Sequence, residues 1–121
     1  MNNLILIFLG GGAGSLMRFG ISELVRRNFQ FIFPVATLCS NLLSCAVLAI
    51  MVGFFREKMA SAPPVQLLVI TGFCGGFSTF STFSFETVNL LREGQFGIAA
   101  ANIIISMAVC FGIVFLLAKQ P

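Results

Sequence analysis

The 121-residue chain contains no His, Asp, Trp or Tyr, and only 9% of its residues are charged. Its acids are Glu23, Glu57, Glu86 and Glu93, no two of which stand at catalytic spacing within one segment, and no hydroxyl or thiol has a recognisable base beside it. General acid–base and nucleophilic catalysis need such pairs, so the composition speaks against an enzyme. The missing His, with no Cys-x-x-Cys spacing, speaks against a transition-metal site. Cys39, Cys45, Cys74 and Cys110 fall inside apolar stretches and read as small packing residues rather than a disulfide framework. The run Gly10-Gly11-Gly12-Ala13-Gly14 matches neither the dinucleotide nor the phosphate-loop pattern.

Long apolar runs are what the chain has instead. Hydrophobic residues make up 58% of it and the mean hydropathy is +1.03, which marks an all-α integral membrane protein. A bilayer core of roughly 30 Å needs about 20 mostly apolar residues per helix, and four such stretches run over residues 4–25, 32–55, 65–91 and 96–118. Polar or turn-forming segments separate them: Arg26-Arg27-Asn28, Arg56-Glu57-Lys58 with Pro63-Pro64, and Arg92-Glu93-Gly94-Gln95. The expectation is one four-helix transmembrane domain over residues 1–121. Met1-Asn2-Asn3 carries no Lys or Arg and no small-residue cleavage pattern follows, so the first run reads as a retained helix rather than a signal peptide.

Positive charge leaves the orientation open. With both termini on one side, that side receives Arg56, Lys58 and Lys119, and the other receives Arg26, Arg27 and Arg92, plus Arg18 if it reaches the surface. Three against three or four is no bias under the positive-inside rule. Such a chain either inserts both ways and pairs head to tail with itself, or takes one topology set by other features. Four helices also give too little protein to enclose an aqueous pathway, so oligomerisation is expected. Small residues at four-residue spacing, Gly10 with Gly14, Gly72 with Gly76 and Ala108 with Gly112, permit close helix approach in lipid.

The third stretch interrupts itself. Gly72, Gly75 and Gly76 are poor helix formers, and Ser78, Thr79, Ser81 and Thr82 compete for backbone groups. Unwinding between Cys74 and Thr79 would free carbonyls, hard ligands suited to an alkali cation; the alternative is a kinked helix whose hydroxyls satisfy their own backbone. Phe80 and Phe83 share a face just beyond, and their positive ring edges can meet an anion without trapping it on a fixed charge. Ser81 and Thr82 can supply O–H donors along the same path. Asn41, mid-way along the second stretch, serves either as an interhelical hydrogen bond or as an amide donor to an anion. Ionisable residues at membrane depth mark pathways or partners: Glu86 is too short to reach the headgroups, whereas Arg18 can also snorkel.

These residues carry a family resemblance. Gly-Phe-Cys-Gly-Gly-Phe-Ser-Thr-Phe-Ser-Thr-Phe at 72–83 resembles the third-helix signature of the Fluc (CrcB) fluoride channels, Gly10 to Phe19 their first-helix glycine-and-arginine pattern, and Thr37-Leu38-Cys39-Ser40-Asn41 their second-helix approach to an asparagine. The resemblance implies an antiparallel, dual-topology homodimer with a broken third helix, two fluoride pathways and a central structural sodium ion. By motif position, Phe80 and Phe83 would be ring-edge fluoride ligands, Asn41 the pore asparagine, and Ser81 and Thr82 part of a polar track. Gly75 and Ser78 would offer backbone carbonyls to sodium, and Arg18 and Glu86 would stand near the pore mouths. The family often has Thr at the place of Ser78, to which a backbone ligand is indifferent, and Phe77 is larger than the usual aliphatic residue there. Passive fluoride export across a bacterial inner membrane, giving fluoride resistance, is the implied activity. A small multidrug-type dual-topology cation transporter would place a carboxylate in the first helix and Trp or Tyr about its cation, whereas this chain's first span has no acid through its apolar centre and the chain has no Trp or Tyr; a non-transporting membrane scaffold is the other alternative.

Overall fold

Each apolar run becomes helical, with ends set by polar or imino residues. The computed structural model describes residues 2–30 and 32–118, with Met59 by its backbone alone; Lys119, part of the charge count above, lies outside the described residues. Helix α1 (Asn3–Asn28) starts where Asn2 Oδ1 accepts the Leu4 N–H at 2.8 Å, and ends with Arg26 and Arg27 at its carbonyl terminus, where cations are favoured. Glu23 pairs with both, at 2.7 Å to Arg26 and 3.7 Å to Arg27. Helix α2 (Val35–Phe54) begins directly after Pro34, later than the apolar run at 32–55 suggested, because proline disfavours helical backbone in the residue before it. Arg56-Glu57-Lys58, expected as a loop, winds into the short helix α3 (Arg56–Ala60).

The third run is the least regular. Pro63 and Pro64 open α4 (Pro63–Val65), a π-helical stretch Gln66–Cys74 follows, and α5 (Gly75–Phe77) continues it. Ser78 (φ −81°, ψ 155°) and Thr79 (φ −150°, ψ 115°) are extended before α6 (Phe80–Arg92) begins. The non-helical backbone is thus narrower than the 74–79 interval, since Cys74 and Gly75–Phe77 are helical. Gly94, at φ +79°, turns the chain out of α6, with the Gln95 N–H donating to Leu90 O at 2.8 Å, and α7 (Phe96–Leu117) completes the molecule. Among the described residues four helical spans, Asn3–Asn28, Val35–Phe54, Pro63–Arg92 and Phe96–Leu117, are long and apolar enough to cross a membrane, and the protein is a multi-pass membrane protein.

The glycines explain how the spans meet. A Cβ on Gly10 would overlap Leu68 O, one on Gly14 would overlap Phe73 O, and one on Gly76 would overlap Gly11 O; at Gly72 it would stand 3.0 Å from Gly10 Cα. Gly10 and Gly14 therefore seat α1 directly against the Gln66–Cys74 stretch and α5, backbone on backbone. Ala108 is exposed and Gly112 faces open space, so the third small pair packs on nothing within the described chain. The interior is unusually polar: beside Leu6, Ala49, Phe77, Phe83, Leu90 and Ala99 it buries Thr37, Ser40, Ser44, Thr87, Asn102 and Ser106, while Phe8, Phe80 and Phe115 point outward. Lipid gives apolar side chains no reason to hide, so hydroxyl and amide contacts hold the helices instead.

Candidate functional site

Extended backbone at Ser78 and Thr79 releases groups that a continuous helix would pair, and α2 takes some of them up. The Thr79 N–H, which in a helix would reach Gly75 O, donates to Asn41 Oδ1 at 2.8 Å, and Asn41 Nδ2 donates a long bond of 3.4 Å to Thr79 O. A backbone N–H can only donate, so the Asn41 amide must turn Oδ1 toward it. One N–H of its NH2 group remains uncommitted among the described residues. The Thr82 N–H, which would reach Ser78 O, donates to Thr79 Oγ1 at 3.1 Å, and that hydroxyl also meets Ser81 Oγ at 3.2 Å. Thr79 is thereby the N-cap of α6.

The carbonyls of Gly75 and Ser78 lose their helical donors by these diversions. Cys74 O, by contrast, accepts from Ser78 N at 3.0 Å, Ser78 Oγ at 2.9 Å and Ser44 Oγ at 3.0 Å. Gly75 and Ser78 line a cavity of about 240 Å³ with Ser44, Cys45, Ile70 and Cys74, and no atom would crowd a Cβ on Gly75. Two neutral carbonyl oxygens with no carboxylate or imidazole beside them fit a hard monovalent cation. They supply only part of the shell such an ion takes.

A second cavity of about 200 Å³ lies across the extended residues, lined by Asn41, Cys45, Ser78, Thr79, Phe80, Phe83, Ser106, Met107 and Cys110. The Phe80 and Phe83 rings tilt at 41° with centroids 5.8 Å apart. Phe83 is buried and Phe80 is 72% exposed, so one chain covers only one of the two rings. The structure thus gathers Asn41, Ser78, Phe80 and Phe83. Ser81, exposed, and Thr82, half-buried, stand outside this lining and serve the start of α6. Arg18 is half-buried, with Nε donating to Gly76 O at 3.4 Å. Glu86 accepts the Thr37 hydroxyl and lines a separate cavity of about 240 Å³ with Pro34, Asn89 and Glu93.

Sequence reasoning passed over a buried relay behind Phe83. Asn102 is 1% exposed; its Nδ2 donates to Thr87 Oγ1 at 2.9 Å, Thr87 Oγ1 donates to Phe83 O at 2.8 Å, and Ser106 Oγ donates to Asn102 Oδ1 at 3.3 Å. The available signal was an Asn within the fourth apolar run with a Ser four residues on, one helical turn away. Ser40 Oγ, also buried, has no hydrogen-bond partner among the described residues. No three His, Cys, Asp or Glu side chains converge among them either.

Comparison with known proteins agrees with the family resemblance. The family model described as CrcB-like protein, Camphor Resistance (CrcB), matches residues 5–118. Similar curated proteins include the Fluoride-specific ion channel FluC of Maridesulfovibrio salexigens, 40% identical over 103 residues that cover 85% of this chain and 82% of the relative. The protein of the same name from Methylobacillus flagellatus is 42% identical over 110 residues, covering 90% and 86%. That from Coxiella burnetii is 40% identical over 111 residues, covering 89% and 88%.

Proposed function

We propose that this chain, which belongs to the CrcB-like protein family, is a fluoride-selective channel that lets fluoride leave the cell passively and so protects against its toxicity. The names of its relatives support the ion, and the cavity beside the extended residues supports the route. One observation carries the reading: Asn41 is held by the Thr79 backbone with an amide N–H to spare, in the same cavity as the paired Phe80 and Phe83 rings. Fluoride is small and strongly hydrated, and a neutral amide donor with positive ring edges replaces lost water without binding the ion too tightly to leave. Ser81 and Thr82 would continue the polar path at the start of α6, and Arg18 and Glu86 would serve its mouths. Its relatives are named as ion channels, and the chain acts as a conduit, not an enzyme. An inside-negative potential drives an anion outward by about 2.3 kcal/mol per 100 mV, so neither ATP nor a coupled ion is required.

The assembly in this proposal is an antiparallel homodimer in a bacterial inner membrane. Phe80 is 72% exposed although it lines the cavity, and a second copy would cover it. The same copy, inverted, would bring its Gly75 and Ser78 carbonyls to a shared sodium ion, completing the shell that one chain begins. Sodium there would neutralise the carbonyl dipoles and lock the two extended segments together.

Purified protein in liposomes loaded with potassium fluoride tests the function. With valinomycin present to balance charge, fast fluoride release with no proton gradient is expected, and chloride loaded in the same way should stay inside. Release that requires a proton gradient and carries an organic cation would favour the multidrug-type transporter, and no release of either would favour the scaffold.

A further inference from the structure

Sulfur gathers on one wall of the cavity that holds Phe80 and Phe83. Cys45 on α2 and Met107 and Cys110 on α7 all line it. Met107 and Cys110 stand three residues apart, on one helical face, and Cys45 lines the same cavity from the neighbouring helix. No spacing in the sequence shows this set, because the packing of α2 against α7 assembles it. The cavity has no carboxylate or imidazole in its lining, and its only oxygen-bearing side chains are those of Asn41, Ser78, Thr79 and Ser106. Thiolate and thioether donors select soft d10 cations over hard ones.

We propose that Cys45, Met107 and Cys110 form a binding site for a soft monovalent cation of the cuprous or silver type, and that an ion held there plugs the cavity. On binding, one S–H bond breaks and one sulfur–metal bond forms, and a proton leaves to solvent; the second thiol and the Met107 thioether bind as neutral donors. One positive charge enters as one leaves, so no net charge is buried in a low-dielectric wall. No electron moves. Cys45 and Ser78 line both cavities, so the site adjoins the hard carbonyl oxygens of Gly75 and Ser78, but the cation class that suits one does not suit the other. The plug rests on the channel reading given above, whereas the binding site does not.

Silver(I) is the probe, in chloride-free buffer. The full-length protein is titrated in detergent, desalted and analysed for bound silver, with ultraviolet thiolate-to-silver absorption followed in parallel. The parent chain should retain one silver per chain more than Cys45→Ser or Cys110→Ala. Met107→Leu should weaken retention without abolishing it, and Cys39→Ser should retain the parent amount. Each variant is compared only if its helical circular dichroism and its elution match the parent. Equal retention by the parent and by both the Cys45→Ser and the Cys110→Ala variants overturns the site. In liposomes, silver should stop fluoride release from the parent, an added dithiol should restore it, and the cysteine variants should resist the block. Undiminished release with silver bound overturns the plug. A parent that releases no fluoride before silver is added overturns the channel reading instead, and the retention experiment then judges the site alone.

Discussion

Replacing Asn41 with Asp separates holding the backbone from donating to an anion. The carboxylate can still accept the Thr79 N–H that Asn41 Oδ1 accepts at 2.8 Å, so the extended residues keep their anchor. The bond given up is the long one to Thr79 O, at 3.4 Å, which is weak by its length. What changes is the face turned to the cavity: an N–H donor gives way to a negative oxygen. A unit charge about 4 Å from a passing fluoride, at an effective dielectric constant of about 20, repels it by about 4 kcal/mol. At about 1.4 kcal/mol per tenfold, that lowers conduction by roughly three orders of magnitude. Fluoride-electrode recordings from proteoliposomes read this directly, with silent vesicles counted and protein incorporation matched. Lowering the pH should return part of the activity, because a protonated carboxyl carries no charge and offers an O–H donor. Parent-like efflux from Asn41→Asp at neutral pH would refute the reasoning and leave Asn41 as a purely structural clamp.

Phe80→Ile and Phe83→Ile keep apolar bulk but remove ring edges whose interactions are worth about 1 kcal/mol, so each should slow fluoride efflux about fivefold while the protein elutes unchanged; normal efflux in the double variant would remove the rings from the mechanism. Gly14→Ala should destabilise by about 1–3 kcal/mol, the usual range for overpacking, since a Cβ there meets Phe73 O, whereas Gly12→Ala, with nothing within 4 Å, should melt like the parent. Thr87→Val strands the buried Asn102 amide and should cost about 1–3 kcal/mol, and Thr87→Ser, which keeps the hydroxyl, should recover most of it in thermal melts. Several Lys added to one loop of every copy should fix one orientation and abolish fluoride resistance, and co-expression of an oppositely biased copy should restore it; full protection by the one-way copy, its orientation verified by cysteine labelling, would rule out the antiparallel dimer.

The four spans were legible because length and apolarity alone decide what can cross lipid, and Pro34 and Pro63 correct their starts by a rule that is itself local. Glycine was harder to read. Low helix propensity at Gly72, Gly75 and Gly76 suggested unwound backbone, yet all three are helical, and Gly72 and Gly76 are small because α1 lies against them. Propensity is a single-residue property and close approach belongs to two helices, so one sequence cannot tell the two uses apart. The π-helical geometry of Gln66–Cys74 was not legible either, because its apolar composition does not distinguish it from α-helix. Asn102 shows the converse limit: an amide in an apolar run is plain to see, but its meaning lies in Thr87, fifteen residues earlier.

One side chain connects the two ions of the proposed channel. Were the third span a continuous helix, the Thr79 N–H would close onto Gly75 O, and that carbonyl would be tied into the helical ladder with one lone pair taken. Asn41 Oδ1 takes the N–H instead, which holds Thr79 extended and leaves Gly75 O without its helical donor. The same bond fixes which way the amide faces, in a side chain that lines the cavity with Phe80 and Phe83. The proposed cation site and the proposed anion route would then follow from a single hydrogen bond rather than being two features that happen to be neighbours. An alanine at 41 would release both: the Thr79 N–H becomes free to return to Gly75 O, and the anion loses its donor. Sodium dependence of dimer stability and fluoride efflux should therefore fall together in Asn41→Ala, whereas in Asn41→Asp, which keeps the acceptor, sodium dependence should survive the loss of efflux. If the alanine variant loses efflux but keeps the sodium dependence of the parent, the two sites are independent and the link through Asn41 is wrong.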